Sequence, residues 1–164
     1  MIDTSIMYDA LLINYSFTNK KNDSISNFAN YIFDNNKIYK KNYIEFLENI
    51  GRFITTSHAI GELQGLINSR TKIHDNLKSS FWKISISYLR KKQIDETLIR
   101  ILPLSDINSY TNFIYKIGYI DTGLIELAKK ENIPIVTQDF KTLASIARSQ
   151  GIQVFVPEES LKYL

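Results

Sequence analysis

The sequence predicts an α/β fold, a parallel β-sheet covered on both faces by helices. Short apolar, β-branched runs alternate with longer segments whose apolar residues recur at helical spacing, the pattern of strands buried between helical layers. Gly51 and Gly151 stand where helices stop just before strand-like runs, and Gly118 ends another helix. No internal repeat and no Pro- or Ser-rich linker interrupts the chain, so residues 1–164 are expected to form one domain.

In chain order, Met1-Ile2 begins a strand, and a helix follows from about Thr4 to Phe17. Its apolar positions Ile6, Ala10, Ile13 and Phe17, with Met7 and Leu11 beside them, keep helical spacing. Asn19 to Asp23 reads as a surface loop. A second helix opens at Ser24 and closes near Asn35-Asn36. A third runs from about Asn42 to Ile50, where Asn42 followed by Glu45 resembles a capping box and Gly51 is the stop. Arg52–Thr55 is a short strand, and Ser57 caps a helix carrying Ile60, Leu63, Leu66 and Ile67.

A longer helix covers Ile73 to about Lys92, with Ile73, Leu77, Phe81, Ile84, Tyr88 and Leu89 on one side. Trp82 lies off that stripe, as does Arg90-Lys91-Lys92, a basic helix end read as a solvated face. A strand is expected at Ile99–Leu102, then Ser105 caps a helix ending at Gly118. Asp121 opens another helix through Lys130. Pro134 leads into a buried strand, Ile135-Val136-Thr137. A helix from about Phe140 to Ser149 precedes the last strand, Gln153–Val156.

Composition narrows the chemistry. The chain has no cysteine, which excludes disulfides, thiolate zinc sites and cysteine nucleophiles. Its two histidines, His58 and His74, are too few for a histidine-rich metal site, so any metal must sit on carboxylates, which selects Mg²⁺ or Mn²⁺. No apolar run is long enough to span a membrane and no signal-peptide pattern opens the chain, so no membrane partner and a cytoplasmic location are expected. The net charge is +3, with 20 basic against 17 acidic residues; setting four acids aside in a metal site leaves +7 elsewhere. A basic exterior around an acidic pocket suits a phosphate-backbone substrate, although the many Asn, Ile and Lys residues give coding bias as the plainer source of that charge.

Ligands of parallel α/β sheets sit beyond the carboxyl ends of the strands. Asp3 follows the first strand and Asp139 follows Ile135–Thr137. Glu62 lies one to two turns into the helix after Phe53–Thr55, and Asp121 stands in a first turn just after Gly118. Four acids from four distant segments are thereby expected on one rim, where mutual repulsion calls for a cation. Taken singly each has a plainer role: Asp3, Asp121 and Asp139 as helix caps or first-turn acids, Glu62 as a solvated helical residue.

Asp3-Thr4-Ser5, Ser57-His58-Ala59-Ile60-Gly61-Glu62, Ile120-Asp121-Thr122 and Val136-Thr137-Gln138-Asp139-Phe140 together resemble the four motifs of PIN-domain nucleases. Those are an aspartate with a hydroxyl residue after strand one, a glutamate on a helix, an aspartate opening a helix, and Thr-x-Asp after a strand. The resemblance spans nearly the whole chain and is closest from Ile117 to Val154. It implies a Rossmann-like, PIN-like fold and metal-dependent cleavage of RNA phosphodiesters. Asp3, Asp121 and Asp139 are then metal ligands, and Glu62 a ligand through water or the residue that orients the attacking water. Thr4, Ser5 and Thr137 become the hydroxyls that steady them. Many relatives carry a further acid where this chain has Lys141, which implies a weaker second metal site.

The family's most common setting implies a protein antitoxin as partner, with RNA processing and defence as other settings. A homodimer is a further expectation, from the apolar surface of Tyr31, Phe33, Tyr43 and Phe46. A catalytically silent RNA- or protein-binding module is the alternative function. A haloacid-dehalogenase-like phosphatase is disfavoured because Ser5 stands where Asp-x-Asp needs its second acid, and the paired acids of a receiver domain do not occur.

Overall fold

Helix α1 (Thr4–Thr18) organises the structure, a computed structural model that describes residues 1–19, 23–34, 37–70, 75–92 and 107–161. Thr4, Ile6, Met7, Tyr8, Ala10, Leu11, Leu12, Ile13 and Tyr15 are all buried, leaving this helix no wide polar face. A helix apolar nearly all round belongs inside a core. It packs against α2 (Ser24–Asp34), α4 (Ser57–Arg70) and α5 (Asp75–Lys91), and α3 (Lys37–Asn49) packs on α2. The chain continues through α6 (Ile107–Glu131), β1 (Ile135–Val136), α7 (Leu143–Ser149), β2 (Val154–Phe155) and α8 (Pro157–Ser160).

This corrects the expected fold class. The chain is predominantly helical, and in place of a Rossmann-like sheet sandwiched by helices there is a parallel pair of two-residue strands, with Ile135 opposite Val154 and Val136 opposite Phe155. Met1-Ile2 contributes a single parallel bridge, Ile2 to Val136, and Arg52–Thr55 forms no strand. The apolar runs are too short to propagate a ladder, and the helix expected to cover a sheet is itself the centre of the core. The expected strand at Ile99–Leu102, the Ser105 cap, Ile73 and His74 lie outside the described residues.

Short extended segments nevertheless pin the chain near its first residues. The Ile2 N–H donates to Ile54 O at 2.9 Å, Asp3 N–H to Val136 O at 3.0 Å, and Val136 N–H to Met1 O at 2.8 Å. Ile135 and Thr137 N–H groups donate to Gln153 and Phe155 carbonyls. Neighbours along these segments face opposite ways, as extended backbone requires. Ile2 and Val136 join the core around α1, while Met1 and Ile135 join a second cluster with Leu124, Ile125, Ala128, Leu143 and Ala147 from α6 and α7.

Three local expectations change. Helix α3 begins at Lys37, so Asn42 is no cap; its amide donates instead to Leu161 O at 3.2 Å. Phe17, placed on the apolar stripe of the first helix, is 62% exposed. Lys92 is buried rather than solvated: its Nζ donates to Leu47 O (2.6 Å), Glu48 O (3.0 Å) and Ile50 O (2.7 Å), and lies 5.8 Å from the ring centres of Phe53 and Tyr88. The carbonyls left open at the end of α3 thus find donors in one ammonium.

Tyr43 is fully buried and stacks between Tyr39 and Phe46, which in turn stacks on Phe155 at 4.7 Å, so Tyr43 and Phe46, two of the aromatic residues expected to face a second copy, pack within the chain. Among the described residues no helix is long and apolar enough to cross a membrane.

Candidate carboxylate site

Asp3 occupies the N-cap position of α1, yet its side chain makes no capping hydrogen bond. Its Oδ2 accepts from Ser5 Oγ at 2.7 Å and Thr137 Oγ1 at 2.8 Å. The plain capping role is therefore set aside at this residue, and the carboxylate faces the segment after β1. Thr137, fully buried, also accepts from the Asp139 N–H at 2.9 Å, so one hydroxyl ties the backbone of Asp139 to the carboxylate of Asp3. On the other flank Thr4 Oγ1 donates to Glu62 Oε2 at 2.7 Å, drawing the exposed Glu62 of α4 toward the start of α1. Thr4, Ser5 and Thr137 thus all bond to acidic side chains.

Asp121 reaches this place by a break in α6. Gly118 has φ 83° and ψ 169°, outside the helical region and within a region open essentially to glycine alone. The helix restarts beyond it, and Thr122 Oγ1 donates to Gly118 O at 2.7 Å across the restart. Asp121 therefore stands in a first turn, half-buried. Burial, and after it the charges of Asp3, Glu62 and Asp139, push its carboxyl up from an ordinary 3.8 to about 7. All four acids thus share one electrostatic neighbourhood, although they come from four separate segments. Among the described residues, however, no three acidic or histidine side chains are gathered closely enough to enclose an ion as placed.

Asp139 retains the role assigned to it in isolation. Its Oδ1 accepts from Thr142 N–H and Thr142 Oγ1, both at 3.0 Å, and its Oδ2 from Leu143 N–H at 3.3 Å, at the start of α7. Burial pushes its carboxyl up, but these bonds to the ionised form outweigh burial and hold it below the usual value. Asp121 and Asp139 are therefore displaced in opposite directions within one site.

Sequence reasoning missed the layer behind the acids. Gln138 Nε2 donates to Tyr39 Oη at 3.0 Å and to Asp9 Oδ2 at 3.4 Å, and Asp9 also accepts from Tyr43 Oη at 3.0 Å. Burial first, with the Asp9 charge behind it, holds the Tyr43 phenol well above its usual range. The signal was the i, i+4 spacing of Ser5 and Asp9, which puts both on one face of α1. His58 is also less simple than a surface residue: its Nε2 is buried without a hydrogen-bond partner among the described residues, and its ring meets Tyr119 edge-on at 5.2 Å.

Compared with protein-family models, curated proteins and solved structures, the chain matches none.

Proposed function

We propose that the chain is a divalent-metal-dependent endoribonuclease that hydrolyses RNA phosphodiester bonds at the rim formed by Asp3, Glu62, Asp121 and Asp139. The observation that carries this reading is the convergence of those four acids, whose charges add to burial in pushing Asp121 up to about 7. Four carboxylates drawn together without a cationic side chain among the causes of that shift suit a hard cation with oxygen ligands, Mg²⁺ or Mn²⁺. Asp3, Asp121 and Asp139 would hold it, with Glu62 binding through water or orienting the attacking water. When bound, the ion would supply the charge that acidifies a water and offsets the phosphate's charge. The motif order that resembles PIN-domain nucleases supports the same assignment; the sheet expected with it plays no part in the proposal.

Within this reading the hydroxyls have definite tasks. Thr137 and Ser5 hold Asp3 in place through its Oδ2, and Thr4 holds Glu62 through its Oε2. The toxin setting with an antitoxin, RNA processing and defence are all compatible with this chemistry.

The rival reading, a binding module without turnover, draws on Asp139, whose two oxygens are already engaged by the start of α7. Purified protein with Mn²⁺ separates the two. RNA should be cut, cutting should stop with EDTA, and Asp121→Asn should abolish it. Activity surviving both EDTA and that substitution overturns the nuclease, and calorimetry without any Mn²⁺ uptake favours the silent module.

A further inference from the structure

We infer that Gln138 is a positioning residue of the carboxylate rim: bound to α1 and α3 at once, it holds the turn from Thr137 to Asp139, so that the seating of α3 governs the place of Asp139. The consequence for metal binding rests on the proposed reading of the rim, whereas the anchoring itself does not. Strands β1 and β2 have two residues each, and their ladder reaches only to Thr137 N–H, which donates to Phe155 O at 3.2 Å. From there the backbone donors turn to hydroxyls: Gln138 N–H to Ser5 Oγ at 3.4 Å, and Asp139 N–H to Thr137 Oγ1 at 2.9 Å. Side chains, not a sheet, therefore carry Asp139 into the rim. Gln138 supplies the link that runs furthest, its Nε2 donating to Tyr39 Oη of α3 at 3.0 Å and to Asp9 Oδ2 of α1 at 3.4 Å.

The partners of Gln138 fix the direction of its amide. An ionised carboxylate only accepts, so the NH₂ end must face Asp9, and the same NH₂ reaches Tyr39. The Oε1 end is buried without a hydrogen-bond partner among the described residues. An open buried acceptor costs stability, and methionine would fill similar space without that cost. Packing alone does not call for glutamine here; the two donated bonds do. Tyr39 is itself held firmly. It stacks on Tyr43 at 5.5 Å with the rings 11° from parallel, Tyr43 Oη donates to Asp9, and Phe46 further along α3 stacks on Phe155 of β2. One face of α3 thus sets where Gln138, and with it the turn, can lie. By linkage, whatever shifts α3 weakens the rim, and an ion in the rim tightens the seat of α3.

The test compares the full native chain with Gln138→Met, Tyr39→Phe and the double variant. Hydrogen exchange of the Asp139 amide, corrected for neighbouring sequence, should quicken roughly three- to tenfold in Gln138→Met and by part of that in Tyr39→Phe. The Ile152 amide, bonded to Ala147 O at the end of α7, should not change. Mn²⁺ affinity in calorimetry should fall roughly tenfold in Gln138→Met. The double variant should be no worse than Gln138→Met alone, because Tyr39 acts through that amide. Tyr39→Phe removes a single oxygen and carries the exchange test by itself if Gln138→Met fails to fold. Unchanged exchange at Asp139 overturns the inference, as do additive losses in the double variant. A lower melting temperature with native Mn²⁺ affinity overturns it too, leaving Gln138 to the fold alone. If the native chain takes up no Mn²⁺ while exchange at Asp139 still answers to both variants, the anchoring stands and the metal reading falls.

Discussion

Thr137 Oγ1 donates to Asp3 Oδ2 at 2.8 Å across 134 positions of sequence, and the same oxygen accepts the Asp139 N–H. One buried hydroxyl therefore sets the distance between two of the proposed metal ligands. Thr137→Val keeps the shape and removes both bonds. It should destabilise the chain by about 1–3 kcal/mol in urea unfolding, since the buried Asp3 carboxylate and the part-buried Asp139 N–H each lose a partner. It should also weaken Mn²⁺ binding by roughly 10–100-fold in calorimetry. Unchanged affinity would mean that Thr137 serves the fold alone.

Asp121 predicts how metal-free stability depends on pH. Its folded value, about 7, lies above the ordinary 3.8, so the protonated form is favoured by folding. Below about pH 4 both states are protonated and nothing is lost; the penalty grows as pH rises and is complete above about 7. At pH 8 it amounts to about 2–4 kcal/mol, with allowance for water screening of a half-buried group. Thermal melts in EDTA should show the native chain losing stability between pH 4 and 8. Asp121→Asn should remove that slope, and Mn²⁺ should stabilise the native chain more at pH 8 than at pH 5.

Asp139 allows its two roles to be separated. Asparagine keeps an oxygen for the two Thr142 donors and loses only the longer bond from Leu143 N–H, whereas alanine keeps none. Asp139→Asn should leave the melting temperature nearly unchanged and abolish Mn²⁺ uptake. Asp139→Ala should lose both, with about 1 kcal/mol of stability gone with the cap. Because the native carboxyl sits below its usual value, its contribution is present above about pH 4 and fades as pH falls further.

Gly118 should resist substitution for backbone reasons alone. A Cβ there would meet nothing within 4 Å, so Gly118→Ala introduces no clash. Its φ of 83° with ψ of 169° still makes alanine unfavourable by about 1–3 kcal/mol. If the chain relieves that strain by straightening α6, Asp121 is carried out of its first-turn position. Calorimetry should then show Mn²⁺ affinity falling together with stability.

The helices were legible because their signals are local. Ser24 and Ser57 open helices, and the apolar spacing of Ile6, Ala10 and Ile13 marks α1. The places of the acids along the chain were legible as motif order and first-turn positions, but how closely their side chains gather depends on tertiary packing, and as placed no three described ones enclose an ion. The sheet was misjudged because Met1-Ile2 and Arg52–Thr55 have strand composition but make only isolated backbone hydrogen bonds. Whether such a run becomes a strand is decided by the length of its neighbours, which no local pattern contains. The burial of α1 on nearly every side was readable in Met7, Tyr8, Leu11 and Leu12, a breadth of apolar residues beyond one stripe. Lys92 was hidden for a different reason: a lysine after an arginine and a lysine looks like any basic helix end, and only tertiary packing brings the end of α3 onto it.

That same lysine should behave chemically as part of the interior. With its ammonium held by three carbonyls beneath two rings, an acylating reagent that labels Lys91 next door should leave Lys92 unmodified. The onset of its labelling would then time the parting of α3 from the end of α5, a reporter of that seam already present in the native chain.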